Sequence, residues 1–149
     1  MPARSHVFVV RDGEILVLGG GGARWWELPG GDLEDGEDGR DAAIRETFEE
    51  TGLSIEAPEL LRAWGYHNRR GEAVACYAYA VDAPAGDIRL STEHSAYAWM
   101  SVDEYAEWYC DERIAEAAPQ YVEFFREMRT NCGLFREWLH VRDGRGGQV

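Results

Sequence analysis

A glycine-rich acidic loop running into a charged helix is the feature that most constrains how this chain can fold. Residues 30–39 read GGDLEDGEDG. Such a run suits neither a helix interior nor a central strand, because glycine loses the most freedom on ordering and aspartate favours turns. From about Arg40 to Thr51 the chain reads as a helix. Asp38 can cap its start, Asp41 suits the first turn, and Gly52 can close it in the left-handed conformation. Glu46, Glu49 and Glu50 stand at i, i+3 and i+4, so the three carboxylates share one face. Like charges so placed oppose an isolated helix by about 0.2–0.5 kcal/mol per pair. A hard divalent cation would remove that repulsion and take oxygen ligands from all three. The turn at Gly30 and Gly31 lets the main chain approach the same face, where a carbonyl can add to the set. A solvated acidic face in an acidic protein is the plainer alternative, and the helix alone leaves both open.

The flanking sequence supplies the rest of a sandwich. Residues 6–11 (HVFVVR) and 14–18 (EILVL) are strand-like, and the intervening Asp12-Gly13 is a hairpin signal. Four glycines, 19–22, form a loop before a short strand at 25–28 (WWEL). After Pro58, strands are expected at 60–67 and 73–81, joined by the turn-like residues 68–71, and another at 96–100. A helix should start near Ser101, with Glu104 placed for a capping box. The region 114–140 reads as helical, with Pro119 near a start and Gly133 as a break; residues 143–149 read as a loose tail. At 149 residues the chain is one domain. The mixed order of strands and helices gives an α/β sandwich (an α+β, α/β/α arrangement) with helices on a mixed, partly antiparallel sheet. The C-terminal helical extension, about 111–142, is rich in apolar residues such as Phe124, Phe125, Met128, Phe135 and Trp138. They are dense enough to cover the sheet or to form a homodimer contact, and covering the sheet is the expectation.

Charge narrows the partners. The net charge is −13, from 28 acidic and 15 basic side chains, and lysine is absent. Such a surface repels nucleic-acid polymers and anionic membranes. No apolar run approaches the roughly 20 residues needed to span a bilayer, and the N-terminal residues lack a signal-type apolar stretch. Cys76, Cys110 and Cys132 are odd in number, widely spaced and without a CxxC pair, which fits a reduced, cytoplasmic setting. An acidic protein acting on a phosphate anion needs a metal ion to reverse the local field. The glycines at 19–22 do not make a dinucleotide fingerprint, since Arg24 stands where a GxGxxG would need glycine. The run at 32–41 does not make an EF-hand in either glycine register.

The spacing carries a sharper signal. Gly31, Glu37, Arg45, Glu46, Glu49, Glu50, Gly52 and Leu53 fall where the Nudix box has its Gly, Glu, Arg-Glu, Glu-Glu, Gly and aliphatic residue. Thr47 occupies one aliphatic slot, a small buried position. The segment resembles that box, and the string 26–31 (WELPGG) resembles the usual entry into it; the likeness covers roughly residues 5–110. It implies a Nudix-type fold and Mg²⁺- or Mn²⁺-dependent hydrolysis of a diphosphate linkage in a small nucleotide-like substrate. It also implies Glu46, Glu49 and Glu50 as metal ligands, the Gly31 carbonyl as a further one, and one of the carboxylates as general base. Arg45 would orient the glutamates or touch phosphate, and Glu37 would tie the loop to the helix through Arg45. Glu93, in a loop six residues before Trp99, corresponds to an extra ligand or base in several such proteins; an exposed loop acid is the alternative. His94 is expected to brace the loop through a hydrogen bond. Arg4, Arg24, Trp25, Tyr66, Tyr77 and Tyr79 lie on segments that line the substrate cleft in the family, whereas Trp26 should pack in the core. Tyr77 and Tyr79 share one strand face, cleft or core. An isoprenoid diphosphate isomerase would require a cysteine near the box, and none precedes Cys76. A nucleotide-sensing domain without turnover ordinarily goes with an eroded box, and this box is intact.

Overall fold

The computed structural model describes residues 2–20, 26–68, 70–108 and 122–147. Strands β1 (Ala3–Arg11) and β2 (Glu14–Gly19) form the expected hairpin. Asp12 at φ 53° and Gly13 at φ 79° both take the left-handed conformation that a two-residue turn with the right strand twist requires. Strand β3 (Gly30–Asp32) pairs antiparallel with the start of β1, placing Gly30 opposite His6 and Asp32 opposite Arg4. This departs from the sequence reading, which put a strand at 25–28 and a loop from 30. Of that strand Glu27 makes only a bridge to Leu18, Trp25 lies outside the described residues, and the pairing passes on to β3. Gly30 makes the approach possible. Its φ is 152°, and a Cβ there would stand 2.0 Å from the Ser5 carbonyl oxygen.

Strands β4 (Glu59–His67) and β5 (Ala73–Asp82) form a second antiparallel pair, and β5 runs parallel to β1. Strand β6 (Ala96–Met100) pairs with β2. The six-stranded mixed sheet has the order β4-β5-β1-β2-β6, with β3 also on β1. Alternation divides its side chains between two faces. Val7, Val9, Leu16, Leu18, Tyr79 and Val81 pack with Ala43 and Leu53 on one face, the face of helix α1 (Gly39–Thr51). Phe8, Val10, Ile15, Val17, Ala78 and Ala80 pack with Tyr105 and Phe135 on the other. That second face is covered by α2 (Val102–Trp108) and α3 (Val122–Gly147), which gives three layers, helix–sheet–helix.

Helix α1 begins and ends as its sequence dictates. Asp38 accepts a hydrogen bond from the Asp41 N–H at 2.8 Å, and Gly52, at φ 77°, donates to the Phe48 carbonyl. Thr47 is fully buried, as the aliphatic slot required. Ser101 Oγ accepts from the Glu104 N–H at 3.1 Å just before α2. Helix α3 corrects two expectations, for it runs through Gly133 without a break and continues to Gly147, past the start of the supposed tail. Phe125, Met128, Cys132 and Phe135, at helical spacing, are buried against the sheet, and Phe8 stacks on Phe135 with centroids 4.7 Å apart. Their stripe spans Gly133, and that contact outweighs a glycine penalty of about 1 kcal/mol. Charge adds to the seam: Arg62 pairs with Glu127 at 2.6 Å, and the Trp138 indole donates to Glu59 at 2.7 Å. Among the described residues, no helix is long and apolar enough to cross a membrane.

Candidate functional site

The capped start and glycine stop of α1 fix its rotation, and that rotation turns the glutamate face toward β3. Arg45 lies at the centre of the resulting charge network. Its guanidinium grips Glu37 with two hydrogen bonds, Nε at 2.8 Å and Nη2 at 2.9 Å, and Nη2 also donates to the Asp32 carbonyl. Nη1 donates to Glu46 at 3.0 Å and to Glu49 at 3.2 Å. This fork ties the loop to the helix through a two-bond grip on Glu37 while holding Glu46 and Glu49, a planar geometry that a lysine's point charge does not supply. Hydrogen bonding from Arg45 holds the Glu37 carboxyl down at about 2, and the Arg45 guanidinium is correspondingly raised.

Glu46 and Glu50 are the inward members of the glutamate face, and Glu49 is the exposed one. The Glu46 carboxylate lies so close over Gly31 that a Cβ there would stand 2.7 Å from its Cδ. Burial raises the Glu46 carboxyl, against the opposing pull of Arg45. Glu50 is 4% exposed and accepts from the Gly30 N–H at 3.0 Å. Burial pushes its carboxyl up to about 8; the Gly30 hydrogen bond opposes the shift, and the charges of Glu46, Glu93 and Glu27 reinforce it. Among the described residues no arginine pairs with Glu50, in contrast with Glu37.

Glu50 opens onto a cavity of about 260 Å³ at the end of the sheet. Glu27, Glu93 and His94 stand with it on one side; Arg4, His6, Tyr66, Phe124 and Met128 form another wall. His94 is buried between two acids, with Nε2 at 3.0 Å from Glu27 and Nδ1 at 3.5 Å from Glu50. Among the described residues, the acid and histidine group whose ligand atoms all lie within 4.8 Å of one another is Glu50, Glu93 and His94. The donors fit a hard or borderline divalent cation: carboxylate oxygens of buried Glu50 and exposed Glu93 stand beside buried His94, whose Nδ1 has no hydrogen-bond partner. On the far wall, burial and the Arg4 charge hold the His6 imidazole down at about 3. Tyr66 packs on Phe124 with centroids 5.6 Å apart, and Arg4 pairs with Asp32 at 3.2 Å.

The residues anticipated from sequence are thus partly assembled. Arg45, Glu46, Glu49, Glu50 and Gly31 meet along α1 and β3, and Glu93 joins them from the loop before β6. Tyr66 and Arg4 line the cavity. Tyr77 and Tyr79 do not: odd positions of β5 face α1, and both rings pack beneath Gly39, whose Cβ would meet Tyr79 Oη at 2.8 Å. Arg24 and Trp25 lie outside the described residues. Trp26 packs against the core on the α3 face, as expected. Glu27, His6 and Phe124 were not singled out from sequence; Glu27 offered a signal, since it sits within the WELPGG entry to the box.

Comparison with known proteins is consistent with this geometry. The family model described as the NUDIX domain matches residues 1–127. A MutT-like protein from Streptomyces ambofaciens is 33% identical over 103 residues, 69% of this chain and 65% of that protein. The asymmetrical bis(5'-nucleosyl)-tetraphosphatase of Rattus norvegicus is 34% identical over 97 residues, 60% of this chain and 65% of its own length. The matches therefore span just under two thirds of these relatives. The solved structure of an Ap4A hydrolase from C. elegans, a binary complex, superposes with a TM-score of 0.61 over 94% of this chain and 98% of that one. At 22% identity it speaks for the fold alone.

Proposed function

Since the chain belongs to the Nudix hydrolase family, we propose that it hydrolyses a diphosphate linkage in a nucleoside diphosphate derivative, with Mg²⁺ or Mn²⁺ held by Glu46, Glu49, Glu50, Glu93 and the Gly31 carbonyl. The observation that carries this reading is the setting of Glu50: a buried carboxylate, beside Glu46, Glu93 and Glu27, facing a cavity and, among the described residues, without an arginine partner. A folded protein ordinarily avoids such a concentration of like charge unless a cation offsets it. Bound there, the cation would neutralise phosphate charge and activate water.

The chain's own residues supply positioning. Arg45 holds Glu46 and Glu49 in place through its fork, and Glu37 anchors Arg45. The Gly30 N–H fixes one oxygen of Glu50. A carboxylate of this set takes the proton from the water that attacks phosphorus, and a phosphate ester leaves. Arg4 stands at the cavity where it can meet a phosphate, and Tyr66 and Phe124 offer faces on which a base can stack. The cavity lies just below the ~300 Å³ lower end of small-molecule pockets. Nucleoside triphosphates, nucleotide sugars, ADP-ribose and, by the name of the rat relative, dinucleoside tetraphosphates fit this description.

The test is ³¹P NMR product analysis of the purified protein with Mg²⁺ on a panel of these compounds. Cleavage of one class to a phosphate ester plus a second phosphate product is expected. Glu50→Gln should lower turnover by several orders of magnitude, because a lost ligand removes transition-state charge stabilisation. Turnover of the variant within a few-fold of the wild type would refute the assignment.

A further inference from the structure

On the acidic side of the cavity stands a buried histidine. His94 is 8% accessible, and its ring lies between two acids, Glu27 and Glu50. Nε2 lies 3.0 Å from Glu27 Oε2. A carboxylate only accepts, so Nε2 carries the hydrogen and donates it. In the neutral tautomer that donates from Nε2, Nδ1 presents a lone pair. That nitrogen is buried, has no hydrogen-bond partner, and faces Glu50 Oε2 at 3.5 Å. Were Nδ1 protonated instead, 3.5 Å would still be too long for a good hydrogen bond. Two donor atoms thus face each other across a gap, and leaving such a nitrogen unmet in a buried place costs about 1–3 kcal/mol.

Glu93 brings a third donor: one ligand atom from each of Glu50, Glu93 and His94 lies within 4.8 Å of the others. Two donors about 2.1 Å from one ion, at a right angle or somewhat wider, stand roughly 3.0–3.4 Å apart, close to the observed gap. The outer partner fits as well. A histidine that ligates a metal ordinarily gives its other N–H to a carboxylate, which fixes the ring and the tautomer. Glu27 occupies that position.

We propose that His94 Nδ1 is a nitrogen ligand of the cation site, sharing a divalent ion with Glu50 and Glu93, and that Glu27 orients its ring. The proposal rests on the reading of Glu50 as a metal ligand and goes beyond it, because the site becomes a mixed nitrogen–oxygen one. Imidazole suits borderline first-row ions, whereas Mg²⁺ prefers oxygen alone. The chain should therefore favour Mn²⁺ or Co²⁺ over Mg²⁺ more strongly than an all-oxygen site would.

Pulsed EPR of the full chain loaded with Mn²⁺ tests this without any turnover. Protein with natural-abundance histidine should show ¹⁴N coupling to the bound Mn²⁺, and histidine labelled with ¹⁵N should convert it to ¹⁵N coupling. The coupling should vanish in His94→Gln and persist in His67→Gln, a change at an exposed histidine. Calorimetry should show Mn²⁺ affinity falling roughly 10–100-fold in His94→Gln, with Mg²⁺ affinity changed only a few-fold. Should His94→Gln fail to fold, His6→Gln decides the point: the coupling should persist there, and its loss would overturn the assignment to His94. Mn²⁺ that binds, and is lost in Glu50→Gln, but shows no histidine coupling would overturn the role of His94 and leave the hydrolase reading intact. Coupling that survives His94→Gln would overturn it equally. Absence of any bound Mn²⁺ in the wild type would overturn both.

Discussion

Glu50→Gln should make the metal-free protein more stable even as it removes activity. The folded Glu50 carboxyl holds its proton up to about pH 8, against an ordinary value of 4.5. The folded state therefore binds more protons than the unfolded one across that window, and stability falls as pH rises through it. Below about 4.5 the effect is absent. Each pH unit above that costs about 1.4 kcal/mol, which reaches about 3 kcal/mol at pH 7 and under about 1 kcal/mol at pH 5. These figures are ceilings, since relaxation around the charge recovers part of the cost. The glutamine keeps an oxygen for the Gly30 N–H, and its amide can donate to the unmet His94 Nδ1. Urea unfolding in EDTA at pH 5, 7 and 8 measures the difference. The variant should exceed the wild type by about 1–3 kcal/mol at pH 7, with the gap closing at pH 5. Added Mn²⁺ should raise the wild type and leave the variant nearly unchanged. A variant no more stable than wild type at pH 7, or a gap that ignores pH, would refute the argument that uncompensated burial of this carboxylate dominates its energetics.

Three other perturbations test the backbone. Gly30→Ala should lose about 3 kcal/mol or more in urea unfolding, because its φ is 152° and the new methyl would meet the Ser5 carbonyl. Gly31→Ala should keep the fold, since the atoms nearest its methyl would be the tip of the Glu46 side chain, but steady-state turnover should fall about 100-fold as that carboxylate is displaced. Gly133→Ala should stabilise by about 0.5–1 kcal/mol in the same unfolding assay, because its Cβ would meet nothing within 4 Å inside a continuous helix. A loss of stability there would mean that Gly133 takes a conformation alanine resists.

Local chemistry was what the sequence made legible. Asp12-Gly13 specified its turn through two left-handed residues, and Asp38 and Gly52 marked both ends of α1 through hydrogen bonds they make themselves. The pairing of Arg45 with Glu37 followed from fixed spacing across one loop and two helical turns. Long-range choices were not legible. Glu27 and His94 are 67 positions apart, and their meeting depends on β6 pairing with β2 while Glu27 bridges Leu18. Tyr77 and Tyr79 were correctly placed on one face, but which face carries α1 is set by the whole sheet and not by alternation along β5. Gly133 read as a stop because glycine usually is one; the buried stripe from Phe125 to Phe135 decided otherwise, and its worth appears only once the sheet is there to receive it.

The unbroken course of α3 couples two parts of the molecule that would otherwise be independent. Phe124 and Met128 belong to the wall of the cavity, while Cys132 and Phe135, further along the same rod, are seated in the core. Each residue added to or removed from a helix turns everything beyond it by about 100°. A single insertion between Met128 and Cys132 would therefore pull either the wall or the core out of phase. The shape of the cavity can be altered by substitution along this helix, but its length between those points is not free to drift.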